Sequence, residues 1–260
     1  MRELLKRNTQ TYYYEDDFVL LKGDCLEQLK KIKPNSIDMI FVDPPYFLSN
    51  NGITCQNGKM VSVNKGEWDK STSLDDIHNF NRKWLRLCKK VLKENGTIWV
   101  SGTYHNIYSV GFAMQQEGYK ILNNVTWQKT NPPPNLACRC FTHSSETILW
   151  AKKNSKKAKH LFNYSLMKEE NGGKQMKDVW SGTLTPPKEK KQGKHPTQKP
   201  CYLLERIIKS STNENDVVLD IMQGSGTSGI VSKKLGRKYI GIEVEEQYLE
   251  LTLRRLGEVQ

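Results

Sequence analysis

Long apolar runs are missing from this 260-residue chain. None approaches the ~18 residues that a membrane-crossing helix needs, so a helical membrane protein is excluded. Residues 1–6 lack the apolar core and small-residue cleavage site of a secretory signal, which points to the cytoplasm. Paired cysteine motifs are missing as well. The six cysteines include no Cys-x-x-Cys, and Cys138 and Cys140 stand too close together for a zinc knuckle. All six read as free thiols, and no metal site is expected. Acidic residues are scarce relative to basic ones, 28 against 40, for a net charge of +12. That balance favours polyanionic partners, although a merely lysine-rich soluble protein has it too. Hydrophobic residues make up 37% of the chain, enough for one large α/β domain with or without a small insert.

What is present begins with a short apolar run, Met39 to Val42, followed by Asp43, Pro44, Pro45 and Tyr46. The run reads as a buried strand. Consecutive prolines cannot continue a central strand, since each lacks an N–H and has a fixed φ. A carboxylate is therefore expected at the carboxyl end of a strand, where open α/β sheets bind ligands. Asp43 and the Pro44 carbonyl are suited to accept hydrogen bonds from an exocyclic amino group, and Tyr46 offers a face for a planar base. A strand end closed by a proline turn, with no ligand, is the plainer alternative.

Upstream, residues 1–16 are polar and tyrosine-rich and read as a loose arm. A strand at 18–21 ends in Gly23, Asp24 and Cys25, and a helix is expected over 26–32. Asp24 is either a second acid at the site or a helix N-cap. Downstream of Tyr46, the glycine- and asparagine-rich stretch 48–66 suits a lid or substrate clamp. Ser73 caps an amphipathic helix to about residue 92. Strands at 97–100, 119–127 and 145–150 and a helix at 104–116 follow. The lysine-rich block 128–195, with its rigid Pro132-Pro133-Pro134, reads as a binding insert. Beyond it, helices at 202–211, 227–235 and up to 256 alternate with strands at 217–220 and 239–242.

Asp220, the turn Gly224-Ser225-Gly226-Thr227 and Glu243 form a second constellation. Glycines let backbone pass close to a ligand, and the following helix start presents free amides. The acid after the next strand is placed to accept two ribose hydroxyls. Gly224, Gly226 and Gly229 match a dinucleotide fingerprint, but too little chain follows for a complete dinucleotide fold. A mononucleoside cofactor fits better.

The motifs Asp43-Pro44-Pro45-Tyr46, Gly224-Ser225-Gly226-Thr227 and His195-Pro196-Thr197-Gln198-Lys199-Pro200 resemble those of S-adenosylmethionine-dependent DNA amino-methyltransferases. Their order resembles the β class, over roughly residues 17–256. The segments 46–50 and 127–141 are similar to the second adenine methylases of Dpn-type GATC restriction systems. The resemblance implies a Rossmann-like α/β fold: a seven-stranded, mostly parallel sheet with one antiparallel edge strand, helices on both faces and a small target-recognition insert. It implies residues 1–127 as the catalytic half, 128–195 as the target-recognition region and 196–260 as the cofactor half. It further implies transfer of a methyl group from S-adenosylmethionine to adenine N6 in DNA, within a restriction–modification pair, by a homodimer.

By position, Asp43 and the Pro44 carbonyl would hold the target amino group, Pro45 would complete the catalytic turn, and Tyr46 would stack on the everted base. Asp24, Cys25 and Met222 would meet the cofactor's adenine and Glu243 its ribose. Asp220, Gly224, Ser225, Gly226 and Thr227 would line the methionine side, with His195, Thr197 and Lys199 closing on the carboxylate. Ile221 and Met222 stand where the family has Pro and Phe, so a flat apolar wall would come from methionine. Alternatives are N4-cytosine or RNA methylation on the same fold, or a DNA-binding partner with an impaired cofactor site. Cytosine C5 chemistry would need a nucleophilic cysteine; Cys201, beside Pro200, lies in the wrong segment for it.

Overall fold

A computed structural model describes residues 1–47, 53–56, 59–62 and 73–259. The chain opens with a 3-10 turn at Arg2–Leu4, then β1 (Tyr13–Tyr14), β2 (Phe18–Lys22) and α1 (Cys25–Leu29). β3 (Ile37–Val42) is followed by a separate antiparallel pair, β4 (Ile53–Gln56) and β5 (Lys59–Ser62). Next come α2 (Leu74–Val91), β6 (Leu92–Gly102), α3 (Ile107–Gln116), β7 (Tyr119–Lys129), β8 (Ser145–Lys153), α4 (Tyr164–Glu170) and β9 (Val179–Gly182). The last part alternates regularly: α5 (Cys201–Ser211), β10 (Val217–Asp220), α6 (Thr227–Lys234), β11 (Lys238–Glu243) and α7 (Glu246–Leu256). Of the stretch 48–66 expected to act as a lid, only β4 and β5 are described, and the rest lies outside the described residues.

The main sheet has nine strands in the order β1-β2-β11-β10-β3-β6-β8-β7-β9. Its centre is parallel from β2 through β6. Alternate side chains feed two cores, one on each face. Val19, Leu21, Ile40 and Val42 pack with Leu29, Trp84 and Val110 of α1–α3. Phe18, Leu20, Met39 and Phe41 pack with Leu203, Ile207, Ile230 and Leu249 of α5–α7. Burial on both faces is why these strands read as continuous apolar runs rather than alternating ones.

The sheet departs from expectation in two respects. It is wider, because β1 and β9 extend its ends. β1 arises within the supposed loose arm: Tyr13 and Tyr14 pair with Leu20 and Val19, covering what would be an open edge. Met1 and Leu5 are buried too, and Leu5 bridges to Ile32, which ends α1 earlier than its apolar spacing suggested. The second departure concerns the reversed strand, which was expected at an edge. β8 is antiparallel to both β6 and β7 and lies between them. β7 runs parallel to β6 through the α3 crossover and leaves a gap, which the returning chain fills in the only direction open to it.

Trp99 on β6 stacks on Trp150 of β8 with centroids 4.8 Å apart and contacts Trp180 of β9 at 6.2 Å. Its indole N–H donates to Ser211 Oγ at 3.0 Å. This stack ties the outer strands to α5. Trp99→Ala should lower the unfolding free energy by ~3–5 kcal/mol in urea titrations, whereas a loss below ~1 kcal/mol would contradict this packing.

Candidate active site

Parallel strands aim their carboxyl ends at one rim. Asp24 follows β2, Asp43 follows β3, and Asp220 and Glu243 end β10 and β11. The reversal of β8 brings its opening residue pair, Ser145 and Glu146, to the same rim, because Trp127 near the end of β7 pairs with Glu146. Below the rim lies a cavity of about 290 Å³.

Asp43 sits at the centre of a hydrogen-bonded cluster. Ser101 Oγ and Tyr46 Oη donate to its Oδ1 at 2.6 and 2.7 Å, and Lys199 Nζ donates to Oδ2 at 2.5 Å. Lys199 also reaches Tyr46 Oη at 2.9 Å and Glu146 Oε2 at 3.5 Å. Glu146 in turn pairs with Lys129 at 2.7 Å. Burial opposes the Lys199 ammonium, yet Asp43 and Glu146 outweigh it and lift its pKa above the ordinary lysine value. Burial likewise pushes Glu146 up, but Lys199 and Lys129 prevail and hold it below the ordinary value. Burial, then the charges of Asp43 and Glu146, push the Tyr46 phenol well above its ordinary value. The phenol is thus a neutral donor at pH 7. The double-proline turn is held from behind: Asn106 Nδ2 donates to the Pro45 carbonyl at 2.9 Å, and Asn81 Nδ2 donates to Asn106 Oδ1 at 2.7 Å.

The glycine turn forms the other part of the wall. Gly224 and Gly226 have φ of +50° and +70°. A Cβ on Gly224 would come within 3.0 Å of the His195 ring, and one on Gly226 within 2.4 Å of Thr252 Oγ1. The Glu243 carboxylate accepts from the N–H groups of Gly224, Val244 and Glu245, each at 2.9 Å. Burial raises its pKa in spite of these bonds. Asp220 accepts from Met222 N at 3.1 Å and Ser228 Oγ at 2.5 Å. Arg255, itself buried, donates to the Ser225 carbonyl at 2.6 Å and to Thr227 Oγ1 at 3.0 Å. The His195 ring meets Tyr248 edge-on at 4.3 Å.

Most of the residues singled out from sequence converge on this cavity. Asp24, Cys25, Asp43, Pro44, Pro45, Tyr46, His195, Thr197, Lys199, Asp220, Met222, Gly224, Ser225, Thr227 and Glu243 all line it. Gly226 does not: it starts α6 from behind the wall, packed against Thr252. Lys199 was expected beside the cofactor carboxylate, but its ammonium lies on Asp43. Asp24 meets both readings, since it lines the cavity and also caps α1 through the N–H groups of Leu26 and Glu27. Ile221 is buried in the core at 1% exposure and Met222 is half-buried against that core, and both line the cavity. Sequence reasoning missed Ser101, Asn106, Lys129, Glu146 and Arg255. Ser101 was findable as the polar residue directly after the strand expected at 97–100. Glu146 begins its strand, and only the reversal of β8 brings it to the rim.

Residues 37–254 match the family described as DNA methylase. The chain belongs to the DNA methylase family. It is 62% identical over 249 residues to the Type II methyltransferase M2.LlaDCHI of Lactococcus lactis subsp. cremoris, covering 96% of this chain and 93% of that one. It is also 62% identical to the Type II methyltransferase M2.DpnII of Streptococcus pneumoniae, covering 95% and 92%. Among solved structures, the M1.HpyAVI–SAM complex superposes with a TM-score of 0.67 at 28% identity, covering 92% of this chain and 98% of that one. The cytosine-N4-specific PvuII DNA methyltransferase shares the fold, with a TM-score of 0.74 at 19% identity over 95% of this chain and 89% of its own. The protein is thus a DNA methyltransferase, with DNA as substrate and S-adenosylmethionine as methyl donor.

The donor's requirements fit the residues present. A nucleoside needs carboxylate acceptors, a flat apolar wall and backbone that approaches closely. Glu243 and Asp24, Met222, and the side-chain-free cradle at Gly224 supply these. Burial lifts Asp220 to about 7 from an ordinary 3.8, although Ser228 and the Met222 N–H pull the other way. The folded protein therefore holds a proton there that the unfolded chain has lost, so this group weakens stability as pH rises between those two values. Asp220→Asn should remove that dependence. Between about pH 5 and about pH 8 the variant should gain roughly 2–3 kcal/mol on the wild type in urea unfolding. Parallel stability–pH curves would contradict a protonated Asp220.

Proposed function

We propose that the protein transfers a methyl group from S-adenosylmethionine to N6 of adenine within GATC in duplex DNA. One observation carries this reading: an acid–proline–proline–tyrosine turn and a glycine turn with a ribose-type acid line the same cavity. When bound, S-adenosylmethionine supplies an electrophilic methyl group on a sulfonium centre. The chain's own residues position the other reactant. Asp43 and the Pro44 carbonyl accept the two N–H bonds of the target amino group, which frees its lone pair from the ring. Tyr46 meets the base. Because Tyr46 and Ser101 hold one oxygen of Asp43 and Lys199 the other, the carboxylate is fixed in place. Catalysis is then chiefly positioning and electrostatics, with no covalent nucleophile. The target atom is inaccessible inside a duplex, so the base must be everted.

Adenine is favoured over cytosine by the acid at 43, since N4-cytosine enzymes of similar pattern carry serine there. The GATC target is supported by the similarity of segments 46–50 and 127–141 to Dpn-type enzymes. In this proposal the block 128–195 reads the target, flanked by a catalytic half at 1–127 and a cofactor half at 196–260. The protein works in the cytoplasm beside a cognate restriction enzyme. The described residues include no helix long and apolar enough to cross a membrane. A homodimer is supported by the exposed Tyr108 and Phe112 on α3, at 76% and 57% exposure.

Asp43→Asn is close to isosteric but weakens the acceptor and removes the charge that Lys199 pairs with. Methyl transfer to GATC duplexes should fall by roughly 10²–10³ or more, with S-adenosylmethionine binding by calorimetry unchanged. Nucleoside analysis of the wild-type product should yield N6-methyladenine. Near-wild-type transfer by the variant, or N4-methylcytosine in the product, would overturn the assignment.

A further inference from the structure

The most exposed large apolar side chain among the described residues is Phe141, at 95% exposure. It stands in the connection 130–144 between β7 and β8, and both ends of that connection are rooted in the Asp43 cluster. Lys129 closes β7, and its ammonium pairs with Glu146 near the start of β8 at 2.7 Å. Glu146 contacts Lys199, which holds Asp43 at 2.5 Å. Phe141 lies five positions before Glu146, so its Cα is no more than about 18 Å from that of Glu146.

The connection is braced. Thr130 N donates to the Gly182 carbonyl at 3.0 Å and Leu184 N to Asn131 Oδ1 at 2.9 Å. Asn135 accepts from Ala137 N at 3.1 Å and donates to the Cys140 carbonyl at 2.6 Å. On the other side of Phe141, His143 packs against Tyr104 at 4.8 Å. The braces grip the residues around Phe141 and leave its ring in water. A fold that buries tryptophans elsewhere thus leaves Phe141 in water on the loop that joins Lys129 to Glu146, on a chain of charge +12.

We propose that Phe141 inserts into the DNA stack and fills the gap left by the everted adenine. It is a positioning residue that never touches the reacting atoms. An everted base leaves two faces of neighbouring bases unstacked, and apolar wedges are the side chains that occupy such gaps. This inference rests on the methyl-transfer reading above.

The test uses the full chain with S-adenosylmethionine and two duplexes, one with an ordinary GATC site and one in which the target adenine faces an abasic position. Phe141→Ala should lose on the order of ten- to a hundredfold in kcat/KM on the ordinary duplex, the worth of one stacking contact. On the abasic duplex, where eversion is already easy, it should match the wild type. A duplex with 2-aminopurine at the target position should brighten on binding the wild type and stay dim with the variant. Phe141→Trp should restore transfer, and its emission should be quenched by DNA. Equal activity of variant and wild type on the ordinary duplex overturns the proposal, and so does an equal loss on both duplexes. A wild type that methylates neither duplex would sink the methyl-transfer reading itself, and the proposal with it.

Discussion

The site depends on one buried ion pair. Lys199 and Asp43 come from segments 156 residues apart, and their side chains are only 6% and 12% exposed. Either charge alone would be costly at such a depth, so each requires the other. Together with Glu146 and Lys129 they form a chain of two acids and two bases. The pair does mechanical work as well. Asp43 follows β3, whereas Lys199 precedes α5, which leads through β10 to the glycine turn. Pulling these together brings the two motifs of the sequence onto one cavity.

The sheet makes that meeting possible. Four neighbouring parallel strands deliver Asp24, Glu243, Asp220 and Asp43 to one edge, and the reversed strand contributes Glu146 by its first turn of chain rather than its last. An all-parallel arrangement would have put Glu146 at the opposite edge and left Lys199 facing a single acid. The reversal also sets the exposed loop 130–144 above the same edge, where the strand that leaves and the strand that returns are clamped by Lys129 and Glu146.

Much of this was legible in the residues. Runs such as Phe18 to Leu21 and Val217 to Leu219 could only be strands covered on both faces, and the positions after them were the natural places to look for acids. Glycines at 224 and 226 announced a tight turn, although only the Thr252 contact shows that Gly226 serves packing rather than the cavity wall. Other features were not legible. β1 and β9 are too short for periodicity to declare, and each forms because an edge or a tryptophan needs cover. The place of Lys199 depends on a partner far away in sequence. Glu146 was hidden because strand direction is a property of topology, which local patterning does not carry.

The central claim is that Lys199 and Asp43 act as one unit, and a double-mutant cycle tests it most directly. Unfolding free energies of the wild type, Lys199→Met, Asp43→Asn and the double variant give the coupling. Lys199→Met leaves the buried Asp43 carboxylate without its cation, and Asp43→Asn leaves Lys199 only Glu146 at 3.5 Å, while the double change strands neither of the two, so the coupling should exceed about 2 kcal/mol. Additivity within about 0.5 kcal/mol would contradict the account.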